Sequence, residues 1–129
     1  MTIKIDDLVG AWRLHDYILK AADGTTSRPF REDSNGLIFY TANGFMSVAT
    51  VQIEKATGEG PFLSYHGPFD LYEDRLVHHI EMSTDPDLIG RDNVRYPVLD
   101  GDTLTLMARP SLFAGEGSEA DIVWRRARR

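Results

Sequence analysis

The sequence predicts an all-β domain: a closed antiparallel up-and-down β-barrel of about eight strands around an internal cavity, with a short N-terminal helical turn. Three observations point there. Turn dipeptides suited to positive φ recur along the chain at Asp23-Gly24, Asn35-Gly36, Asn43-Gly44 and Asp100-Gly101. The segments between them are short and alternate apolar with polar residues, the period of a strand with one buried face. Only "IDDLVG" near the start reads as a helical turn, so long helices and βαβ units are excluded.

Taken in order, strands are expected near Ala11–Leu19, Gly36–Tyr40, Phe45–Ile53, Tyr65–Leu71, Arg75–Ser83, Asn93–Leu99, Thr103–Arg109 and Ala120–Arg126. "GLIFYTANGFMSVATV" is the clearest hairpin, two β-rich runs around an Asn-Gly turn, and "VRYPVLDGDTLTLMA" repeats the plan around Asp100-Gly101. A short turn at Glu73-Asp74 would pair "YHGPFDL" with "RLVHHIEMS". Strands linked in this way lose their exposed edges by closing on themselves, and a barrel of about eight strands holds one small ligand. "EKATGEGPFLS" and "RPSLFAGEGSEA" are long, polar and Gly-rich, fitting either rim segments over a barrel mouth or plain surface loops.

A chain of 129 residues with 42% apolar content is one domain's worth, residues 1–129, and can bury a core. Its 20 acidic and 14 basic residues leave a net charge of −6, which argues against nucleic acid as a partner. Four of the last five residues are arginine, a run that reads as a solvated chain end. With no cysteine, disulfides, thiolate chemistry and cysteine-type zinc sites are excluded. No apolar run approaches a membrane span and no signal-peptide pattern opens the chain, so a cytoplasmic protein is the simple expectation.

The ordered set "LVGAWRL", "DGTTSRPF", "NGLIFYTANGFMSV", "YHGPFDL", "RLVHHIEMS", "VRYPVLDGDTLTL" and "IVWRR" resembles the bacterial and fungal lipocalin-like domain family over nearly the whole chain. The resemblance implies a small calycin-type barrel with an internal cavity, on a scaffold that serves both ligand carriers and cofactor-free enzymes, cyclases of specialised metabolism among them. It also implies a structural role for Trp12, packed near the closed end against an arginine of the last strand, Arg125 or Arg126 here.

Phasing the first strand by Trp12 sends Leu14, Asp16 and Ile18 inward with it. The first hairpin turns either Ile38 and Tyr40 or Leu37 and Phe39 inward, with Met46 and Val48 on the next strand. In "RLVHHIEMS" the alternation places Leu76, His78, Ile80 and Met82 inside, and His79 and Glu81 outside. The phase of "NVRYPVL" stays open between Arg95 and Tyr96, because Pro97 fits a bulge or a bend.

The expected interior polar set is therefore Asp16, Tyr40 and His78 as catalytic candidates. Leu14, Ile18, Met46, Val48, Tyr65, Phe69, Ile80, and Arg95 or Tyr96 are the expected ligand-lining residues. A histidine steered by a carboxylate exchanges protons near neutral pH, and a tyrosine or arginine can hold a developing oxyanion. The bland reading of His78 is a buried ring with satisfied hydrogen bonds. Metal binding is weak, because adjacent His78 and His79 point to opposite faces of a strand, and no cofactor motif occurs.

The function expected is binding of a small hydrophobic molecule, with a cofactor-free cyclase, isomerase or dehydratase foremost. A non-catalytic carrier or sensor is the alternative, and an interaction or assembly domain, as a homodimer, the third reading.

Overall fold

The computed structural model describes residues 2–28, 34–52, 62–109 and 117–129. Most of the two expected rim segments, and Ile53, lie outside the described residues. A four-residue helix α1 (Ile5–Leu8) is followed by β1 (Gly10–Lys20), β2 (Thr26–Ser27), β3 (Ser34–Tyr40), β4 (Phe45–Gln52), β5 (Phe62–Leu71), β6 (Leu76–His79), β7 (Met82–Ser83), β8 (Asp92–Asp100), β9 (Thr103–Ala108) and β10 (Glu119–Arg126). β1, β3, β4, β5, β6, β8, β9 and β10 pair in that order, and β10 returns to β1. Every pairing is antiparallel, so the ring is the closed up-and-down barrel expected. Among the described residues no helix is long and apolar enough to cross a membrane.

Two irregularities decide what faces the interior. On β1, Leu14 pairs with Trp124 and Asp16 with Val123, leaving His15 as an extra residue in a β-bulge. Trp12 and Leu14 face inward before it and Tyr17 after it, so the alternation sends Asp16 and Ile18 outward, contrary to the uninterrupted phase expected. Asp16 pairs there with exposed Arg28 at 3.2 Å and accepts a hydrogen bond from the Tyr17 N–H at 2.8 Å.

The second irregularity splits the expected strand Arg75–Ser83 into β6 and β7. A Cβ on Gly67 would lie 1.9 Å from the His79 carbonyl oxygen, an approach only glycine permits. Ile80 then leaves the ladder, donating its N–H to the Arg91 carbonyl at 3.0 Å and accepting from the Gly90 N–H at 2.8 Å. The chain rejoins β5 as β7, which leaves Met82 58% exposed instead of inside. Asn35-Gly36, expected as a turn, lies within β3, where Gly36 makes room for Leu14: a Cβ there would stand 3.0 Å from the Leu14 Cβ.

One end of the barrel is plugged by α1. Leu8 and Trp12 are fully buried, and the Trp12 indole N–H donates to the Leu8 carbonyl at 2.9 Å. The Arg126 guanidinium lies 4.2 Å from the Trp12 ring centroid and donates to the carbonyls of Asp7 at 3.0 Å and Val9 at 3.3 Å. Of the two arginines left open, Arg126 is thus the partner. Arg125 is exposed because Ile122 and Trp124 face inward on β10 and alternation carries Arg126 with them. Arg126 also corrects the expectation of a wholly solvated basic end.

Candidate functional site

Above this plug the barrel encloses a cavity of about 40 Å³, room for a few water molecules or a small organic group. All eight barrel strands line it: Tyr17 from β1, Ile38 from β3, Val48 and Thr50 from β4, Leu63 and Tyr65 from β5, His78 from β6, Arg95 from β8, Leu106 from β9, and Ile122 and Trp124 from β10. The lining is mainly apolar with a few polar groups converging on it, the usual composition of a small-molecule site.

His78 is the hub of those polar groups. β6 places it opposite Phe69 of β5, and its ring is buried, 1% exposed. The Tyr40 hydroxyl lies 2.8 Å from its Nε2 and the Tyr65 hydroxyl 2.9 Å from its Nδ1. Tyr40 is inward with Ile38, which settles the phase of the first hairpin, and its ring meets Phe69 edge-on at 5.0 Å between centroids.

Burial pushes the His78 pKa well below its ordinary 6.5, and the Arg95 and His79 charges add to that. The ring is therefore neutral at physiological pH. Burial likewise raises the Tyr40 pKa well above 10, with the Tyr65 charge adding and Arg95 opposing.

A neutral imidazole has one N–H and one lone pair, so one tyrosine donates to it while the other accepts from it. When Nδ1–H donates to Tyr65, the Tyr65 hydroxyl hydrogen is free for another acceptor. When Tyr65 donates to Nδ1, its oxygen accepts instead. Tyr65 can therefore give or take a proton while His78, which lines the same cavity, exchanges tautomers.

The open phase of β8 resolves to Arg95 inward, 5% exposed, while Tyr96 turns outward beneath the Arg109 guanidinium, 5.8 Å from the ring centroid. One Arg95 N–H donates to the Val94 carbonyl at 2.9 Å.

Of the expected site residues, the structure brings together His78, Tyr40, Tyr65, Val48 and Arg95. Met46, Phe69 and Ile80 are buried in the packed core and Leu14 packs against it, outside the cavity lining. Asp16 and Ile18 stand outside, because of the bulge at His15, so Asp16 cannot steer the His78 ring. Sequence reasoning missed Tyr17, Thr50, Leu63, Leu106, Ile122 and Trp124 as lining. The alternation in "TLTLMA" and "DIVWRR" carried the signal for Leu106, Ile122 and Trp124, whereas Tyr17 was hidden by the bulge.

His79 faces outward as expected, but with partners the sequence did not reveal. Asp92 lies 2.7 Å from its Nδ1 and Asp70 2.8 Å from its Nε2, and these hydrogen bonds, Asp92 first, raise its pKa above 6.5.

The model of the lipocalin-like domain family matches residues 9–63 and 52–127 of the chain. Among solved structures, a lipocalin-like protein from Bacteroides uniformis is similar in fold, with a TM-score of 0.53 and 18% identity. The match covers 94% of this chain and 99% of that one. No curated protein matches.

Proposed function

This chain belongs to the lipocalin-like domain family, and from that premise we propose that it binds a small, largely apolar molecule in its cavity and moves a proton on it. The reaction class is that of a cofactor-free cyclase, isomerase or dehydratase, working in the cytoplasm. One observation carries this reading: the hydrogen-bonded series Tyr40, His78, Tyr65 reaches the cavity wall at Tyr65. Such a series supplies acid and base from one group without a net charge inside the barrel.

The test begins with small molecules extracted from the purified protein in organic solvent and identified by mass spectrometry. Each is returned to fresh protein at neutral pH. An enzyme converts its compound to a product of equal mass, or one lighter by water, and Tyr65→Phe slows this by ~10²-fold or more while leaving the fold intact. Unimpaired turnover in Tyr65→Phe would remove the proton-transfer assignment.

A carrier or sensor is the second reading, favoured by the two occupied ring nitrogens of His78 and the outward position of Asp16. The compound then returns unchanged.

A further inference from the structure

Arg95 is a cation buried inside the barrel, and among the described residues no carboxylate pairs with it. Among the described residues its hydrogen bond is the one to the Val94 carbonyl, which uses one of the five N–H donors a guanidinium carries. A buried ion held in this way is costly unless a counter-charge meets it. The groups beside it are no counter-charge: His78 is neutral and Tyr40 is held protonated.

A second, independent group is also without a partner. The indole Nε1 of Trp124, on another strand of the same cavity wall, is buried and has no hydrogen-bond partner among the described residues. A buried N–H with no acceptor is rare and points to an oxygen supplied from elsewhere. The cavity is thus lined by Arg95 with its unneutralised guanidinium, by Trp124, whose indole N–H is unanswered among the described residues, and by Tyr65, set among Val48, Leu63 and Leu106.

We infer that the ligand of this barrel is a small apolar carboxylic acid, bound as the carboxylate on Arg95 with its hydrocarbon part against the aliphatic wall. The planar guanidinium fork matches two carboxylate oxygens, and a low-dielectric wall strengthens the pairing. This inference rests on the cavity being the ligand site, and it adds the charge and chemical class of what enters. It requires no chemical step.

The probes are propanoate and propanamide, equal in length and different in charge and small enough for the cavity, titrated into the full chain at neutral pH and followed by Trp fluorescence and by amide NMR shifts of cavity residues. Propanoate is expected to bind at least about 10-fold more tightly than propanamide, and Arg95→Met to abolish that preference while still binding the amide. Equal affinities in the wild-type protein would overturn the carboxylate inference and leave the cavity reading standing. Shifts from neither probe at the cavity residues would overturn both. If Arg95→Met fails to fold, the wild-type comparison still decides, and Arg95→Lys, which keeps the charge and loses the fork, is expected to retain only part of the preference.

Discussion

The Tyr40 hydroxyl stands 2.8 Å from His78 Nε2 on the side of the ring away from Tyr65, and unlike Tyr65 it does not line the cavity. The two tyrosines make similar bonds to one ring, yet their surroundings differ. Tyr40→Phe strands a buried ring nitrogen in packed core and is expected to destabilise the barrel by about 1–3 kcal/mol in urea unfolding. Tyr65→Phe is expected to cost less, because a water or ligand in the cavity can take the place of its hydroxyl. Equal losses would show that the cavity offers no such substitute.

The adjacent histidines titrate in opposite senses. His79, whose folded pKa is raised between Asp92 and Asp70, contributes stability fully present below its unfolded pKa and lost as pH rises through the folded one. His78 has a lowered folded pKa, so it draws stability away as pH falls below 6.5, where the unfolded chain protonates and the buried ring does not. Denaturation midpoints between about pH 5 and pH 9 should therefore show His79→Gln losing most at acid pH and converging on the wild type at alkaline pH. A gap independent of pH would mean that the bonds to the aspartates confer no preference for charged His79.

At Gly67 a methyl group has no room, since its Cβ would meet the His79 carbonyl at 1.9 Å, backbone against backbone. Gly67→Ala is expected to cost about 3 kcal/mol or more, and to loosen the amide protons of Ile80 and Glu81 in hydrogen exchange. Gly36→Ala meets the Leu14 Cβ at 3.0 Å, Thr50 Cγ2 at 3.1 Å and the Ala49 carbonyl at 3.2 Å, contacts that need far smaller shifts than 1.9 Å does, and should cost less. The reverse order would contradict the packing described at these two sites.

Neighbouring arginines on β10 should differ sharply. Arg126→Met removes the contact with Trp12 and the hydrogen bonds to Asp7 and Val9, an expected loss of about 1–3 kcal/mol in thermal or urea unfolding. Arg125→Met, on the exposed face, is expected to change stability by less than about 0.5 kcal/mol. Similar effects at both positions would mean that Arg126 is not a tie between the barrel and α1.

Where two-residue alternation runs unbroken, the sequence is a good guide: β9 and β10 carry Leu106 and Trp124 inward as the pattern indicates, and the turns at Asn43-Gly44 and Asp100-Gly101 join hairpins. Alternation fails at places that depend on a neighbouring strand. The extra residue at His15 is defined only by the register with β10, so no property of "WRLHDYI" by itself reveals that Tyr17, not Asp16, faces in. Gly36 looks like half of a turn and is a contact with Leu14, because a glycine that yields space and a glycine that reverses the chain read alike. On β8 the apolar set Val94, Tyr96 and Val98 faces out, since the interior takes Asn93 and Arg95. Burial of polar side chains inverts the rule from which phase is ordinarily read.

The extra residue at His15 has a meaning for how this barrel could change over generations. Substitution at any one position alters one side chain, whereas removing His15 would close the ladder, with Leu14, Asp16 and Tyr17 already opposite Trp124, Val123 and Ile122, and leave both faces of the strand as they stand. The Asp16 carboxylate would stay outside beside Arg28, and the Tyr17 phenol would stay inside. A three-nucleotide deletion could thus erase the bulge without altering which side chains of this strand meet a ligand.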